Sequence, residues 1–315
     1  MIPSLKDVKE AVKRVSPYVH NTPVLTSSTI DRMLGASVYF KCENFQRMGA
    51  FKFRGASNAI LQLTEDERAR GVITHSSGNF AAALALAAKL LDTKAYIIMP
   101  SDAPRVKKEA VAGYGAHIIE CAPGLKNREN SMLAQQEKTG ATFIHPSNDI
   151  NVILGNSTAV MEMANEVNTL DVVIAPVGGG GLLAGTALAT NHLSYYIETI
   201  GAEPFGADDA YLSLKTGKIQ PSINPKTIAD GLKTQLGDIN FPIIQKFVSK
   251  IIRVEESEIV DSMKFIWERM KIVIEPSSAV AVAALFRNSS EFKKRRVGVI
   301  LSGGNADLNN LPFKK

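Results

Sequence analysis

The sequence PVGGGGLLAG occupies residues 176–185, between an apolar stretch that predicts a buried strand and a stretch that predicts a helix. Four consecutive glycines leave backbone N–H groups open at the amino end of that helix, where the helix dipole adds positive potential. A tight turn would explain one or two glycines, but hardly four. The stretch therefore predicts a strand–loop–helix unit of an α/β fold whose loop binds a phosphate group through the backbone.

Strands and helices alternate along the chain on both sides of this unit. Before it, apolar stretches separated by helices predict strands at residues 72–74, 95–99, 116–119 and 142–144. The alternation resumes after Pro146, and this order is typical of α/β proteins whose mostly parallel sheets carry helices on both faces. A chain of 315 residues is long enough for two lobes. We expect a small domain, residues 71–148, inserted into a large domain formed by residues 1–70 and 149–315.

The composition indicates an ordinary globular protein. The net charge is +5, from 36 Lys and Arg residues against 31 Asp and Glu residues, and a scattered basic excess of this kind does not indicate a nucleic-acid surface. The longest uncharged apolar run, residues 80–88, is too short to cross a membrane, and the amino terminus lacks the features of a secretory signal. Cys42 and Cys121 form neither a metal-ligand spacing nor a disulfide framework. We therefore expect a cytoplasmic protein without nucleic-acid or membrane partners.

A second informative stretch is FKFRGA at residues 51–56, which places Lys52 between Phe51 and Phe53 at the predicted start of a helix. An ammonium group between aromatic rings carries a desolvation cost, unless the amine loses its proton or has a charged partner. The neutral amine is the form that attacks carbonyl compounds. A surface lysine whose stem lies along the helix explains the residue equally well when it is considered alone.

Two further loops follow predicted strands in the same way as the glycine loop: SSGN at residues 76–79 and SGGN at residues 302–305. Open α/β sheets bind ligands at the carboxyl ends of their parallel strands, so one ligand could contact all three loops. Pyridoxal phosphate needs an amine for its imine bond, N–H groups for its phosphate, and partners for its ring nitrogen and phenolic oxygen. Lys52 and the three loops meet these needs together, and they indicate pyridoxal phosphate as the cofactor.

These stretches, in this order, resemble the serine racemase and serine/threonine dehydratase family of fold type II pyridoxal-phosphate enzymes, which includes members similar to threo-3-hydroxyaspartate dehydratase. The resemblance implies that Lys52 binds the cofactor covalently, that Ser302 meets its pyridine nitrogen and that Asn79 lies near its phenolic oxygen. It also implies a place near the cofactor for Glu275, which could otherwise be a charge at a helix amino end. The implied cofactor-binding residues are Phe51, Lys52, Asn79, Gly178, Gly179, Gly180, Gly181, Glu275 and Ser302.

The same resemblance implies sites for a small amino-acid substrate and for a metal ion, and it implies a homodimer. The implied substrate-binding residues are Ser76, Ser77, Gly78 and Asn79. EPFGADD at residues 203–209 resembles the family's cation site. Its ligands would be the carboxylates of Glu203 and Asp209 and the main-chain carbonyl of Ala207, and such oxygen ligands suit Mg2+, Ca2+ or Mn2+. Glu203 and Asp209 could alternatively be surface carboxylates.

The expected reactions are racemisation, β-elimination, or both. Lys52 can take the α-proton of the substrate. A proton returned by Ser77 on the opposite face gives racemisation, whereas loss of a β-hydroxyl group gives a keto acid and ammonia. The family's racemases carry serine where this chain has Ser77, and its threonine dehydratases usually carry alanine; alternatively, Ser77 only holds the substrate's carboxylate. The neutral hydroxyl of Ser302 does not keep the ring nitrogen protonated, which disfavours transamination.

Several residues depart from the family pattern, and one of them, Phe80, leaves the substrate open. Phe80 stands where histidine is common, beside the predicted carboxylate loop, and Phe205 stands where a small polar residue is common. Serine, threonine and 3-hydroxyaspartate are the candidate substrates for dehydration. Aspartate is a candidate substrate for racemisation.

Other functions are compatible with the same residues. Gly179, Gly181 and Ala184 match the spacing of a dinucleotide-binding loop. Glu203 ends the next predicted strand, where an acid that binds a ribose would lie, so a NAD(P)-dependent oxidoreductase is one alternative. β-Replacement of the cysteine-synthase kind is a second alternative, and a ligand-binding protein without activity is a third.

Overall fold

The structure of the chain is a computed structural model that describes residues 2–103 and 105–313. Within these residues the strands form a larger and a smaller sheet. The strands are β1 (Val24–Leu25), β2 (Ser37–Cys42), β3 (Val72–His75), β4 (Ala95–Pro100), β5 (His117–Cys121), β6 (Thr142–Phe143), β7 (Val172–Pro176), β8 (Glu198–Pro204), β9 (Lys250–Val254) and β10 (Arg296–Leu301).

Helices connect most of these strands. They are α1 (Leu5–Val15), α2 (Ser28–Leu34), α3 (Lys52–Leu61), α4 (Glu65–Arg70), α5 (Asn79–Leu90), α6 (Arg105–Gly113), α7 (Leu125–Thr139), α8 (Ile150–Glu166), α9 (Gly181–Leu193), α10 (Asp209–Thr216), α11 (Phe241–Phe247), α12 (Glu256–Met270) and α13 (Pro276–Arg287). Short 3-10 turns include Phe205–Ala207 and Asp230–Leu232. None of the helices in the described residues is long and apolar enough to cross a membrane.

The strand order brings the predicted loops to one edge of each sheet. The larger sheet has the order β1-β2-β10-β7-β8-β9 and the smaller sheet has the order β5-β4-β3-β6. β1 runs antiparallel to β2, whereas the remaining neighbours are parallel. Because β7 and β10 are adjacent and parallel, residues 178–181 and Ser302 follow them at the same edge. The loop of residues 76–78 has the equivalent position after β3 in the smaller sheet.

Helices cover both faces of each sheet. Val172 and Ile174 of β7 pack with α12 and α13 on one face, whereas Val173 and Ala175 pack with α8 and α9 on the other. This alternation follows from the pleat of the strand, and every residue of β7 is buried. In the smaller sheet, α5 packs on one face and α7 on the other. The predicted α/β class, with mostly parallel sheets between helices, is confirmed.

The two sheets use different parts of the sequence. The strands of the smaller sheet lie between residues 72 and 143, and those of the larger sheet lie before residue 43 or after residue 171. The larger sheet is therefore discontinuous in sequence, and the smaller one is inserted in it. The predicted domain boundaries, after residue 70 and after residue 148, stay a prediction.

Candidate active site

Lys52 is the first residue of α3, and its side chain reaches the loop that follows β6. Its Nζ donates a hydrogen bond to the carbonyl oxygen of Pro146 at 2.9 Å, and it lies 5.0 Å from the ring centroid of Phe51 and 5.7 Å from that of Phe80. Burial lowers the pKa of Lys52 to about 8, although the charge of Glu275 opposes the shift. Near neutral pH, Lys52 therefore has more of the nucleophilic amine form than an exposed lysine has.

The aromatic neighbours of Lys52 differ from the predicted pair. Phe53 is fully buried in the core formed by α3, α5 and the smaller sheet, so it faces the core rather than the amine. Phe80, in the first turn of α5, lies beside the amine instead. The prediction was right for Phe51 and wrong for Phe53.

Arg54 anchors α3 in a buried ion network. Its guanidinium donates to both oxygens of Glu43 at 2.7 and 2.8 Å and to both oxygens of Glu162 at 2.7 and 2.6 Å. Lys41 adds a second cation, which donates to Glu162 at 2.9 Å and to the carbonyl oxygen of Thr22 at 2.6 Å. Two cations thus face two carboxylates, and this balance offsets the cost of removing the charges from water. The network joins α3 to α8 and to the end of β2. It therefore fixes the position of the backbone from which the Lys52 side chain extends.

The glycine loop, residues 178–181, lies at the carboxyl end of β7 and leads into α9. Gly180 has a φ of +81°, and a Cβ on it would lie 2.6 Å from Cδ2 of Leu236, so both its backbone and its surroundings require glycine. The N–H groups in the first turn of α9 have no partners within the helix, as in any α-helix. The loop therefore presents backbone donors at a helix amino end, as a phosphate site requires.

Protein atoms approach the glycine loop closely. A Cβ on Gly178 would lie 2.6 Å from Cα of Leu232, and a Cβ on Gly179 would lie 2.4 Å from Oγ of Ser147. Asn240 donates from Nδ2 to the carbonyl oxygens of Gly179 at 2.8 Å and of Ser147 at 3.1 Å. The loop thus has no room for side chains, and the carbonyl group of Gly179 is held in place.

The loop of residues 145–148 connects the lysine to the glycine loop, and the sequence analysis missed it. Its Pro146 accepts the hydrogen bond of the lysine amine, and its Ser147 lies against the glycine loop. His145 Nδ1 accepts the backbone N–H groups of Ser147 at 3.2 Å and of Asn148 at 2.8 Å, and burial lowers the pKa of His145 to about 4. A neutral imidazole therefore holds this turn together. Its position in the sequence could have identified this loop as part of the site, since it follows a predicted parallel strand.

A hydrogen-bonded chain connects the ends of β3 and β10 with α13. Asn79, at the start of α5, donates from Nδ2 to the two oxygens of Glu275 at 2.8 and 3.1 Å. Asn305 donates to Oδ1 of Asn79 at 2.9 Å, which fixes the orientation of that amide. Burial raises the pKa of Glu275 to about 7, although the hydrogen bond from Asn79 opposes the shift. The carboxyl group of Glu275 thus faces Asn79 rather than the N–H groups of its own helix.

The two serine loops have different surroundings. Ser302 is buried, and its carbonyl oxygen accepts the N–H of Phe51 at 3.0 Å, so the end of β10 is joined to the start of α3. Residues 76–78 are half-buried, and a Cβ on Gly78 would meet nothing within 4 Å among the described residues. The loop of residues 76–78 therefore borders open space beside Asn79, as a substrate-binding loop requires.

The carboxylates predicted to bind a cation are both buried around the end of β8. Glu203 accepts the N–H groups of Ala210 at 2.9 Å and of Tyr211 at 2.8 Å, and burial raises its pKa to about 9. Neither carboxylate oxygen of Asp209 accepts a hydrogen bond of good geometry among residues 2–103 and 105–313, and burial raises the pKa of Asp209 to about 6, although the nearby Ser222 hydroxyl opposes the shift. Ala207 lies between them in the turn Phe205–Ala207.

The surroundings of Glu203 and Asp209 exclude a surface role for them and restrict how a cation could bind there. The interpretation of Glu203 and Asp209 as surface carboxylates is wrong, because both are buried in the fold. In the described parts of the chain, no group of three or more His, Cys, Asp or Glu side chains could hold a metal ion. A cation at this place would therefore need main-chain or water oxygens besides the two carboxylates. The unpartnered oxygens of Asp209 fit such a cation, since it would supply the missing partner.

Residues 15–303 match the protein family described as pyridoxal-phosphate dependent enzymes. The chain belongs to this family. It is 48% identical over 312 residues to a serine racemase from Dictyostelium discoideum, and the aligned part covers 98% of this chain and 96% of the relative. It is 45% identical over 312 residues to a beta-hydroxyaspartate dehydratase from Paracoccus denitrificans, and the aligned part covers 99% of both chains.

Solved structures of this family have the same fold. The crystal structure of serine racemase from Dictyostelium discoideum has a TM-score of 0.94 and 48% identity, over 98% of this chain and all (100%) of that chain. A pyridoxal 5'-phosphate-dependent aspartate racemase has a TM-score of 0.92 and 36% identity, over 99% of this chain and 98% of that chain. The predicted family, fold type II architecture, enzyme class and pyridoxal phosphate cofactor are confirmed. The family match favours this cofactor over the nicotinamide alternative.

Proposed function

We propose that this enzyme racemises a small hydroxy amino acid, dehydrates it to a keto acid and ammonia, or does both. The observation that carries the proposal is the buried amine of Lys52, whose pKa is lowered to about 8 at the carboxyl edge of both sheets. Relatives named serine racemase and beta-hydroxyaspartate dehydratase, at 48% and 45% identity, support the same reactions.

The residues of the site fit the proposed cofactor. Residues 178–181 would hold its phosphate through backbone N–H groups, because the loop has no space for side chains. Lys52 would bond to its carbonyl carbon, with Phe51 beside it, while Ser302 would meet the ring nitrogen. Asn79, oriented by Glu275, would donate to the phenolic oxygen. When bound, pyridoxal phosphate withdraws electrons from the substrate's α-carbon and so makes the α-proton removable.

The protein's own groups would handle the protons and the substrate's carboxylate. We assign the α-proton to Lys52, because an amine with a pKa near 8 can both accept and return a proton near neutral pH. The loop of residues 76–79 would bind the carboxylate. Ser77 in that loop would return a proton on the opposite face during racemisation. Phe51 and Phe80 lie close to the lysine amine and would exclude water from it.

We also propose a divalent cation, Mg2+ or alternatively Ca2+ or Mn2+, at Glu203, Asp209 and the carbonyl oxygen of Ala207. Both carboxyl groups are buried with raised pKa values, so near neutral pH a cation would displace the proton of Glu203 and would neutralise the already ionised Asp209. The proposal further includes a homodimer and a cytoplasmic location, as the family resemblance implies. Sedimentation over a range of protein concentrations tests the dimer, and a monomer throughout would contradict it.

A substrate panel tests the proposed reaction. The purified protein is incubated with L- and D-serine, threonine, 3-hydroxyaspartate and aspartate, with and without Mg2+, and each sample is assayed for keto acid and for chiral inversion. We expect at least one of these amino acids to react, and we expect Lys52→Ala to be inactive. A protein that binds pyridoxal phosphate but converts none of them would contradict the reaction. A product that forms only when a thiol is added would favour β-replacement.

A further inference from the structure

A salt bridge between Lys107 and Asp230 connects the parts of the chain that form the two sheets. Nζ of Lys107 lies 2.6 Å from Oδ2 of Asp230. Lys107 belongs to α6, between two strands of the smaller sheet, and Asp230 begins the turn Asp230–Leu232, which packs against α13 beside the larger sheet. Among the salt bridges of the described residues, this one alone joins residues 72–143 to the rest of the chain.

On the side of the larger sheet, the salt bridge ends at the proposed phosphate site. Leu232 Cα lies only 2.6 Å from where a Cβ on Gly178 would be, so the turn lies directly against the glycine loop. Gly231 donates its N–H to Oγ of Ser277 at 3.0 Å, in the first turn of α13. The turn Asp230–Leu232 is therefore held between the glycine loop and the helix that follows Glu275.

On the side of the smaller sheet, the salt bridge ends near the proposed substrate site. Helix α6 packs against α5, whose first residue is Asn79 and whose preceding loop is residues 76–78. The charge of Asp230 raises the pKa of Glu275, and the charge of Lys107 lowers it. Both charges thus lie near the proposed cofactor site.

We propose that Lys107 and Asp230 are positioning residues, which hold the substrate-binding loop beside the phosphate-binding loop through the contact between α6 and the turn Asp230–Leu232. The side chains are 39% and 55% exposed, so water can separate them, and the contact can form and break during turnover. An exposed salt bridge contributes little to overall stability, so its loss leaves the fold intact. The identity of the two ligands rests on the proposed function, whereas the contact between Lys107 and Asp230 does not.

The neighbouring residue supplies a matched control. Lys108 lies on the same helix and donates to Oε1 of Glu120 at 2.7 Å and to the carbonyl oxygen of Ser101 at 2.8 Å. Both partners belong to the smaller sheet or its loops. Lys108→Met therefore removes the same charge and one salt bridge from α6, without breaking a contact between the sheets.

Cross-linking tests the contact independently of activity. A zero-length carbodiimide joins a lysine amine to a carboxylate that it touches, and peptide mass spectrometry identifies the pair. We expect a link between Lys107 and Asp230 in the protein with pyridoxal phosphate bound, and we expect it to disappear in Asp230→Asn. The link between Lys108 and Glu120 is the internal standard. If that standard forms and the Lys107–Asp230 link does not, the proposal is overturned, whatever reaction the enzyme performs.

Kinetics with a substrate from the panel test the positioning role. We expect Lys107→Met and Asp230→Asn to raise KM about threefold to tenfold while kcat changes less, since they loosen an exposed contact rather than the reacting groups. The exchanged pair, Lys107→Asp with Asp230→Lys, should return KM to within about twofold of the original value because it restores the opposite charges. Lys108→Met should leave KM unchanged. Equal KM increases in all the single variants, or no recovery in the exchanged pair, would overturn the proposal.

Discussion

Lys52 and Arg54 lie two residues apart on α3, and Arg54 is fully buried whereas Lys52 is mostly buried. The pKa values of the two groups nevertheless shift in opposite directions. Arg54 makes ion pairs with Glu43 and Glu162, and these hold its pKa above the usual value although burial opposes the charge. Burial also disfavours the charge on Glu43, but Arg54 outweighs it and the pKa of Glu43 lies below its usual value. Arg54 and Glu43 are therefore both charged at neutral pH.

The site around Lys52 has the opposite electrostatics. Among the described residues, Lys52 has no carboxylate within salt-bridge distance, so burial dominates and lowers its pKa to about 8. Burial likewise raises the pKa of Glu275 to about 7. The difference shows that matched pairing makes a buried charge structural, whereas burial without a direct ion pair leaves groups that exchange protons near neutral pH.

The largest effect that separates the two regions is on turnover. We expect Lys52→Met to lower kcat by about a thousandfold or more, because it removes the proposed proton acceptor. Lys52→Arg keeps the positive charge but cannot supply a neutral amine, so it should be equally inactive. Steady-state kinetics on the best substrate of the panel give the rates, and circular dichroism checks that both variants are folded. A folded variant that keeps more than a tenth of the turnover would contradict the role of Lys52.

The next effect is on stability, and it should belong to Arg54. Arg54→Met leaves the buried Glu43 and the mostly buried Glu162 with a single remaining cation, so we expect it to lower the free energy of unfolding by about 3–5 kcal/mol. Arg54→Lys keeps the charge but not the bidentate geometry and should cost less. Urea unfolding of the three proteins measures the difference. Unfolding of Arg54→Met at the same urea concentration as the original protein would show that the network is not structural.

The sequence was sufficient to predict the loops at the strand ends. Apolar strands and glycine-rich turns are local signals, so the positions of residues 178–181 and of Ser302 could be predicted without knowing what packs around them. The same holds for the alternation that predicts the two parallel sheets. The antiparallel pairing of the two-residue strand β1 with β2 gave no such signal, because so short a strand has no recognisable period.

The contacts between distant segments could not be predicted. Phe80 reaches Lys52 only because α5 packs against α3, and Asn240 reaches the glycine loop from the turn before α11. Glu162 joins the Arg54 network from a helix and lies 108 positions after Arg54 in the sequence. The pKa values of Lys52 and Glu275 follow from these packing contacts, since burial is their main cause. Residue types and spacing alone do not report burial.

A smaller effect appears in the stability of the cofactor-free protein as a function of pH. The pKa of Lys52 is about 8 in the folded protein against an ordinary value of 10.5, so the unfolded chain binds more protons between these values, and stability rises with pH there. Lys52→Met should therefore stabilise the cofactor-free protein below pH 8 by up to about 3 kcal/mol, and this gain should shrink as the pH rises toward 10. Urea unfolding of both proteins across this range measures it. A gain that does not change with pH would exclude desolvation of Lys52 as its cause.

The smallest effect concerns Glu203 and Asp209, which like Lys52 and Glu275 are buried without a direct ion pair. Their raised pKa values mean that the folded protein holds protons that the unfolded chain has released, so stability without a cation falls as the pH rises, through Asp209 from 3.8 to about 6 and through Glu203 from 4.5 to about 9. Mg2+ at ten times its Kd should restore about 1.4 kcal/mol, and less Mg2+ should be needed at the higher pH. Asp209→Asn should abolish this gain. Asp208→Asn should retain it, because Asp208 is already paired with Arg253 at 2.7 Å. Thermal unfolding of protein treated with a chelator, with and without Mg2+, measures these differences, and a full gain in Asp209→Asn would mean that the cation binds elsewhere.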